Sequence, residues 1–331
     1  MEHQRQILRL GALLIALAAA FRLVSAGFFT PVVAFFQKPQ VVSLLMYLET
    51  GHVVRFAKPE AKPQISATEP QPTEAEPPVQ AQPVQPVFTA EDLALLQVQY
   101  QCDYRPDLEK LLTQPLSMKL SGDAPTVLIV HTHATETYTH DEIAYSGSYR
   151  TLQASYNMLS IGDEIARVLQ EGGIGVIHDK TLHDHPDYNN SYNAARATIE
   201  AYLEKYPSIQ MVLDIHRDAS DSPDGQLVTS AIAGGQRSAQ LMMVVGTDAG
   251  GNYHPNWQRN LSLALKLTAL LEQTNPGISR PIDLRWERFN MDLTPGSLLV
   301  EVGAAGNTHG EALIAANALA QSILALKEGT Q

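Results

Sequence analysis

Val127-Leu-Ile-Val-His-Thr-His-Ala-Thr-Glu136 is an apolar run that stops on two histidines, with a glutamate three residues after the second. Four consecutive apolar residues of this kind predict a short strand buried on both faces, as in a parallel sheet. In an open α/β sheet, ligands bind in the crevice beyond the carboxyl ends of the strands. His131, His133 and Glu136 stand at that place. Imidazole nitrogen and carboxylate oxygen are donors for Zn2+, and catalytic zinc sites often combine two histidines with a glutamate and leave a position for water. A further ligand must come from elsewhere in the chain.

Gln210-Met-Val-Leu-Asp-Ile-His-Arg-Asp218 supplies it: a second apolar run ending on His216. A third run, Ser297-Leu-Leu-Val-Glu-Val302, carries Glu301 inside what would otherwise be core. An unpaired buried carboxylate is costly, so Glu301 needs a partner or a task. Singly, each residue has an ordinary structural reading. Together they make a coherent site: protein ligands for a metal, and a general base for the water it binds. Arg217, directly after His216, is placed either to hold a substrate carboxylate or developing oxyanion, or to pair with Asp214 or Asp218. His183 and His185, in Thr181-Leu-His-Asp-His-Pro-Asp-Tyr188, are substitute ligands or part of a solvated loop. His140 and Asp141 lie in a loop-like stretch, and His178 ends a predicted strand as a structural residue.

Around these runs the pattern alternates. Helices are predicted over 91–101 (capped by Thr89), 158–170, 192–205, 258–273 and 311–327, with strands at 127–130, 175–178, 210–215, 241–245 and 297–302. The alternation predicts a single doubly wound α/β domain over residues 90–331, with helices on both faces of the sheet.

Ahead of it, Arg5 and Arg9 precede the apolar run Leu10–Phe21, part of a wider, mostly apolar stretch from Ile7 to Phe29 that includes Arg22. That is long enough to span a bilayer if Arg22 snorkels toward the headgroups, and the preceding cations orient the bulk of the chain outward. The alternative is a signal peptide cleaved after Val24-Ser-Ala26. The reading is thus a membrane anchor region over 1–36, a juxtamembrane helix over 37–57 and a Pro-rich linker over 58–89. That linker holds eight of the chain's twenty prolines. With a net charge of −12 and no basic run interleaved with aromatics, nucleic acid is excluded as a partner. The single cysteine, Cys102, excludes an intrachain disulfide and a cysteine-ligated zinc site. No Gly-x-Ser-x-Gly elbow is present, which argues against a serine hydrolase.

The order of anchor, Pro-rich linker, His-Thr-His-x-x-Glu, Asp-Ile-His-Arg-Asp and the segment Asp292-Leu-Thr-Pro-Gly-Ser-Leu-Leu-Val-Glu-Val-Gly-Ala-Ala-Gly-Asn-Thr308 resembles the stage II sporulation protein P family. Tyr253-His-Pro-Asn-Trp257 belongs to the same resemblance. It implies a mixed-sheet domain similar to zinc amidases and zinc carboxypeptidases. The implied activity is a membrane-anchored N-acetylmuramoyl-L-alanine amidase that also cleaves peptide cross-links of peptidoglycan during forespore engulfment. Implied partners are peptidoglycan and the stage II sporulation proteins D and M. Carried onto this chain, the zinc ligands fall on His131 or His133, Glu136 and His216, and the catalytic glutamate on Glu301. The amidases take their carboxylate ligand from a helix further along; Asn157-Met-Leu-Ser-Ile161 offers none here, which leaves Glu136. The competing expectation is a peptidoglycan-binding scaffold whose site has decayed.

Overall fold

A computed structural model describes residues 86–139, 149–219, 221–222 and 225–328. The expected anchor, the juxtamembrane helix and nearly all of the linker lie outside these residues, as do His140 and Asp141. Among the described residues, no helix is long and apolar enough to cross a membrane.

The sheet strands are β1 (Val98–Tyr100), β2 (Val127–Val130), β3 (Val176–His178), β4 (Met211–Asp218), β9 (Leu241–Gly246), β10 (Ile282–Arg285) and β11 (Ser297–Ala304). Between β4 and β9 lie two small hairpins, β5 (Asp221–Ser222) with β6 (Gly225–Gln226), and β7 (Ala231–Ala233) with β8 (Gln236–Ser238). The helices are α1 (Leu108–Thr113), α2 (Met158–Glu171), α3 (Ser191–Lys205), α4 (Trp257–Thr274) and α5 (His309–Glu328). The seven sheet strands run in the order β1-β10-β9-β11-β4-β2-β3, and every pairing is parallel except that of β9 with β11. The sheet is therefore mixed, two parallel blocks meeting head to tail along one seam.

Most expected elements are present within a few residues. The exception is the helix expected over 91–101. The chain makes one 3₁₀ stretch, Ala90–Leu95, whose start is tied by the Thr89 N–H donating to Asp92 Oδ2 at 2.7 Å. It then extends as β1, because Val98 and Tyr100 alternate with polar Gln99 at period two and pair with β10.

The faces of the sheet are unequal. Met211, Leu213 and Ile215 of β4, Leu298, Val300 and Val302 of β11, and Leu241, Met243 and Val245 of β9 point into one large core shared with α1, α2, α4 and α5. On the other face, Leu128, Val130 and Val212 meet Ile199 of α3 and Ile209 in a smaller cluster. Period-two alternation then sends Asp214, His216, Leu299, Glu301, Met242 and Val244 to that second face, beyond the reach of α3's apolar contacts. Asn260 to Leu271 of α4 are all buried, so this helix, expected to be amphipathic, is covered all round by α1, α5 and β9. Lys266 is buried with it and donates to the carbonyls of Leu111 and Leu112 at the end of α1, which needs acceptors there filled.

Candidate active site

Two of the predicted residues are brought together by register alone. Glu301 of β11 pairs with His216 of β4 across parallel strands, so their side chains stand adjacent on the second face. On the other side of β11, Met242 of β9 faces Glu301. His133 and Glu136 arrive from the turn that follows β2. That turn is tied at both ends: Thr132 donates from its backbone N–H and its hydroxyl to Asp214 (2.8 and 2.5 Å), and the Thr135 hydroxyl donates to Asp184 (2.6 Å). Arg150 holds Asp184 from the other side at 2.7 Å. His133, Glu136, His216, Arg217 and Glu301 thus line one cavity of about 210 Å³, completed by Tyr192, Asp218, Met242, Val244, Arg285, Phe289 and Leu299.

The cluster is a compact set of opposed charges. His216 lies 2.9 Å from Asp214 Oδ1 through Nε2 and 3.6 Å from Glu136 Oε2 through Nδ1. Burial works against an imidazolium here, but the two carboxylates outweigh it and raise the His216 pKa well above its ordinary value. Burial likewise opposes charge on Glu136, yet His216 and Arg217 hold its carboxyl down at about 2. His133 is stacked on Tyr188 (ring centroids 4.6 Å apart) and lies edge-on to His216. Burial, helped by His216, lowers it to about 4, a neutral imidazole at ordinary pH. Glu301 is pushed the other way: burial raises its carboxyl to about 8, and Glu136 and Asp218 reinforce the shift against His216 and Arg217.

His133 Nδ1, His216 Nε2 and Glu301 Oε2, all at this cavity, are among the described buried polar atoms without a hydrogen bond. The contact of His216 Nε2 with Asp214 is close but out of line for one. Orphaned buried imidazole nitrogens call for a missing partner, and His133 and His216 with the Glu136 carboxylate are a donor set that suits zinc. Among the described residues no three His, Cys, Asp or Glu side chains are already spaced to hold a metal ion. His216 is turned onto Asp214 and Glu136 as their cation. A metal there would replace the proton that His216 carries, and the chemistry of the donor set fits that exchange.

His131 does not join the cluster. Its Nδ1 donates to the Ile215 carbonyl (3.0 Å) and its Nε2 meets His178 Nε2 (2.9 Å), on the side of the sheet covered by α2. Strand alternation would set His131 and His133 on one face, but β2 ends at Val130 and alternation does not carry through the turn. Gly162 of α2 makes room for the pair, since a Cβ there would lie 2.6 Å from His131 Nε2 and in hard contact with His178. His178 is structural as expected, held by Asp163 at 2.9 Å. His183 donates to the His131 carbonyl and accepts from Thr198, and His185 is exposed, so neither lines the cavity.

Arg217 lines the cavity, but it pairs with neither Asp214 nor Asp218. It donates to the carbonyls of Thr137 (3.0 Å) and Tyr149 (2.9 Å) and faces Glu136. Asp218 is paired with Arg280 instead. The geometry gives Arg217 a positioning role on Glu136.

Asp214, Asp184, Arg150, Tyr188 and Arg285 were not foreseen as site residues. Asp214 carried a usable signal, a carboxylate inside an apolar strand like Glu301. The described non-glycine residues with left-handed backbone are Tyr149 (φ 51°), Phe289 (φ 50°) and Asn290 (φ 59°), and all three serve this site. Tyr149 offers its carbonyl to Arg217, Phe289 lines the cavity, and Asn290 donates to the Tyr192 carbonyl. Such backbone costs energy and gathers at functional sites. Two larger clefts, of about 420 and 600 Å³, have a single ionisable lining residue each, Arg259 and Glu164, and so lack acid–base pairs.

Comparison with solved structures finds distant similarity to the N-acetylmuramoyl-L-alanine amidase AmiC2 of Nostoc punctiforme (14% identity, TM-score 0.37, covering 62% of this chain and 97% of that one). The CwlD amidase of Clostridioides difficile, solved with the GerS lipoprotein, is similar at 14% identity and TM-score 0.38, over 60% of this chain and 96% of that one. In sequence, the chain is 29% identical over 211 residues to stage II sporulation protein P of Bacillus subtilis (strain 168), covering 60% of this chain and 50% of that protein. The matched part thus spans half the length of that relative. The family model described as Stage II sporulation protein P (SpoIIP) matches residues 49–324, most of the chain and the whole of the site just described, and the chain belongs to that family.

Proposed function

We propose that this chain is a zinc-dependent peptidoglycan hydrolase acting in sporulation, an N-acetylmuramoyl-L-alanine amidase that also cleaves peptide cross-links. The observation that carries this reading is the in-register pair of Glu301 and His216, facing His133 and Glu136 across one cavity. His133, Glu136 and His216 would hold the zinc ion. Bound there, zinc supplies a Lewis acid and makes a water nucleophilic near neutral pH.

The chain's own residues do the rest. Asp214 sets a negative charge beside the His216 ring at 2.9 Å, and Arg217 and Arg150 steady Glu136 at 3.7 and 3.6 Å. Glu301 Oε2, unpartnered in the cavity, receives the proton of the attacking water and delivers it to the leaving amine nitrogen, a step that contributes roughly 10²–10⁴-fold. The apolar Met242, Val244 and Leu299 limit water beside it. In the same reading residues 1–36 anchor the protein in the cell membrane with the domain outside the cytoplasm. It works in engulfment with the stage II sporulation proteins D and M.

The test separates metal binding from turnover. Glu301→Gln is expected to keep zinc and peptidoglycan binding and to lose at least about a hundredfold in turnover on purified sacculi, with products identified by mass. Near-normal turnover would remove Glu301 from the reaction, loss of zinc would make it a ligand, and a wild-type protein that binds sacculi without releasing peptide would be a scaffold.

A further inference from the structure

Arg285 is the cavity's second arginine, and nothing in the proposed hydrolysis uses it. It is the last residue of β10, on the same face as Glu301. Asp283 accepts from its Nε at 3.0 Å and so sets the direction of the guanidinium. Among the described residues its two terminal nitrogens make no hydrogen bond, and the side chain is 37% exposed. Arg217, by contrast, is fastened to two backbone carbonyls and Glu136. His216 is likewise turned onto Asp214 and Glu136. The Arg285 fork is therefore the cavity cation open to an entering anion.

The spacing has chemical meaning. Arg285 pairs with Gly246 of β9 and Glu301 with Met242 of the same strand, so the two lie two strands across and four residues along. At ~4.8 Å per strand and ~3.3 Å per residue their backbones are roughly 16 Å apart, and both side chains shorten that gap. Between them the floor is apolar, formed by Met242, Val244 and Leu299. An extended peptide advances ~3.3–3.6 Å per residue, so a chain with its scissile amide at Glu301 brings a group roughly two to four residues away to the guanidinium.

We infer that Arg285 is a carboxylate-binding subsite for the peptide part of the substrate, reading a free carboxyl at a fixed interval from the bond that is cut. The fork of a guanidinium matches a carboxylate bidentately and is far weaker toward a neutral carboxamide. The subsite therefore selects peptides whose carboxyl near the scissile bond is free over those in which it is amidated. This inference rests on the hydrolase reading for its substrate class and on the cavity for its geometry.

The experiment uses the full-length chain and two N-acylated peptides of one sequence, one with the carboxyl free and one with it as carboxamide. Binding is measured by calorimetry and cleavage by mass. The wild type is expected to bind the free acid roughly ten- to hundredfold tighter. Arg285→Gln should erase that preference while leaving the carboxamide affinity unchanged, and Arg285→Lys should restore part of it. In turnover the loss should fall on KM, with kcat held within about twofold. Equal affinity of the wild type for the two peptides, no binding of either, or a preference that survives Arg285→Gln overturns the subsite. Cleavage of both peptides without preference removes the subsite and leaves the hydrolase. An acid preference without cleavage removes the hydrolase and leaves the subsite.

Discussion

Asp184 touches neither the cavity nor any expected ligand, yet replacing it with Asn should damage both stability and turnover. Its side chain is fully buried, and it accepts from the Thr135 N–H (3.2 Å), the Thr135 hydroxyl (2.6 Å) and Arg150 (2.7 Å). An asparagine of the same shape must turn its N–H₂ toward one of these donors, so at least one contact becomes repulsive. Hydrogen bonds to a charged group are each worth ~1.5–3 kcal/mol, and breaking a fully buried ion pair costs ~3–5 kcal/mol. The Arg150 side chain keeps 22% of its surface in water and recovers part of the loss, which puts Asp184→Asn at about 2–3 kcal/mol. For a domain of this size that is a fall of roughly 5–10 °C in melting temperature. The effect travels further: Arg150 lies 4.4 Å over the Tyr188 ring, and Tyr188 is stacked on His133. Loosening Asp184 therefore frees His133 on one side and Glu136 on the other, and misplacement on that scale costs roughly tenfold or more in turnover. Calorimetric melting and peptidoglycan digestion check the two halves. A variant that melts within about 2 °C of the wild type and digests normally would refute the account of how the turn is held.

The two histidines of the opening motif should part company: His133→Ala loses bound zinc while keeping its fold, whereas His131→Ala keeps zinc and melts lower, as metal analysis and calorimetry will show. Gly162→Ala, which in an open helix would stabilise by ~1 kcal/mol, should here destabilise by ~1–3 kcal/mol because its methyl meets the His131–His178 pair; denaturant unfolding decides the sign. Lys266 gives a pH dependence. Burial lowers its pKa from 10.5 to about 8. Below pH 8 both folded and unfolded chains carry its proton and the full cost of the buried charge. Between about 8 and 10.5 the unfolded chain holds the extra proton, so stability rises with pH across that window. The difference in unfolding free energy between wild type and Lys266→Met, measured from pH 7 to 11, should show that rise, and a flat difference would refute it.

Strands buried on both faces announce themselves as apolar runs, and β2, β4, β9 and β11 were legible for that reason. A short strand that alternates polar with apolar residues does not. Ile282-Asp-Leu-Arg285 alternates because Asp283 and Arg285 serve the second face, and so it lacked the expected signal. α1 has only six residues, too few for a periodic pattern. In the site, residue types identified His133, Glu136, His216 and Glu301. His131 continues the Val127–Ile129 face of β2, whereas His133, three residues past the last ladder pair, lies in a turn where strand alternation no longer holds. Arg217 was misjudged because its partners, two backbone carbonyls, leave no trace in side-chain sequence. The β-ladder register that sets Glu301 beside His216 is likewise a property of pairing, which no single strand records.

The last of the described strands is the one at the sheet's centre. Until residues 297–304 exist, β4 and β9 have no partner on the edges they later share with β11. A chain emerging from N to C terminus therefore carries two half-sheets with open edges, the kind of surface that invites mispairing, until residues 297–304 are made. Closure joins segments far apart in sequence, so it is expected to be the slow folding step. The strand that closes the sheet is also the one that brings Glu301. Competence to fold and competence to cut thus arrive together, and a chain shortened at its C terminus before Glu301 has neither.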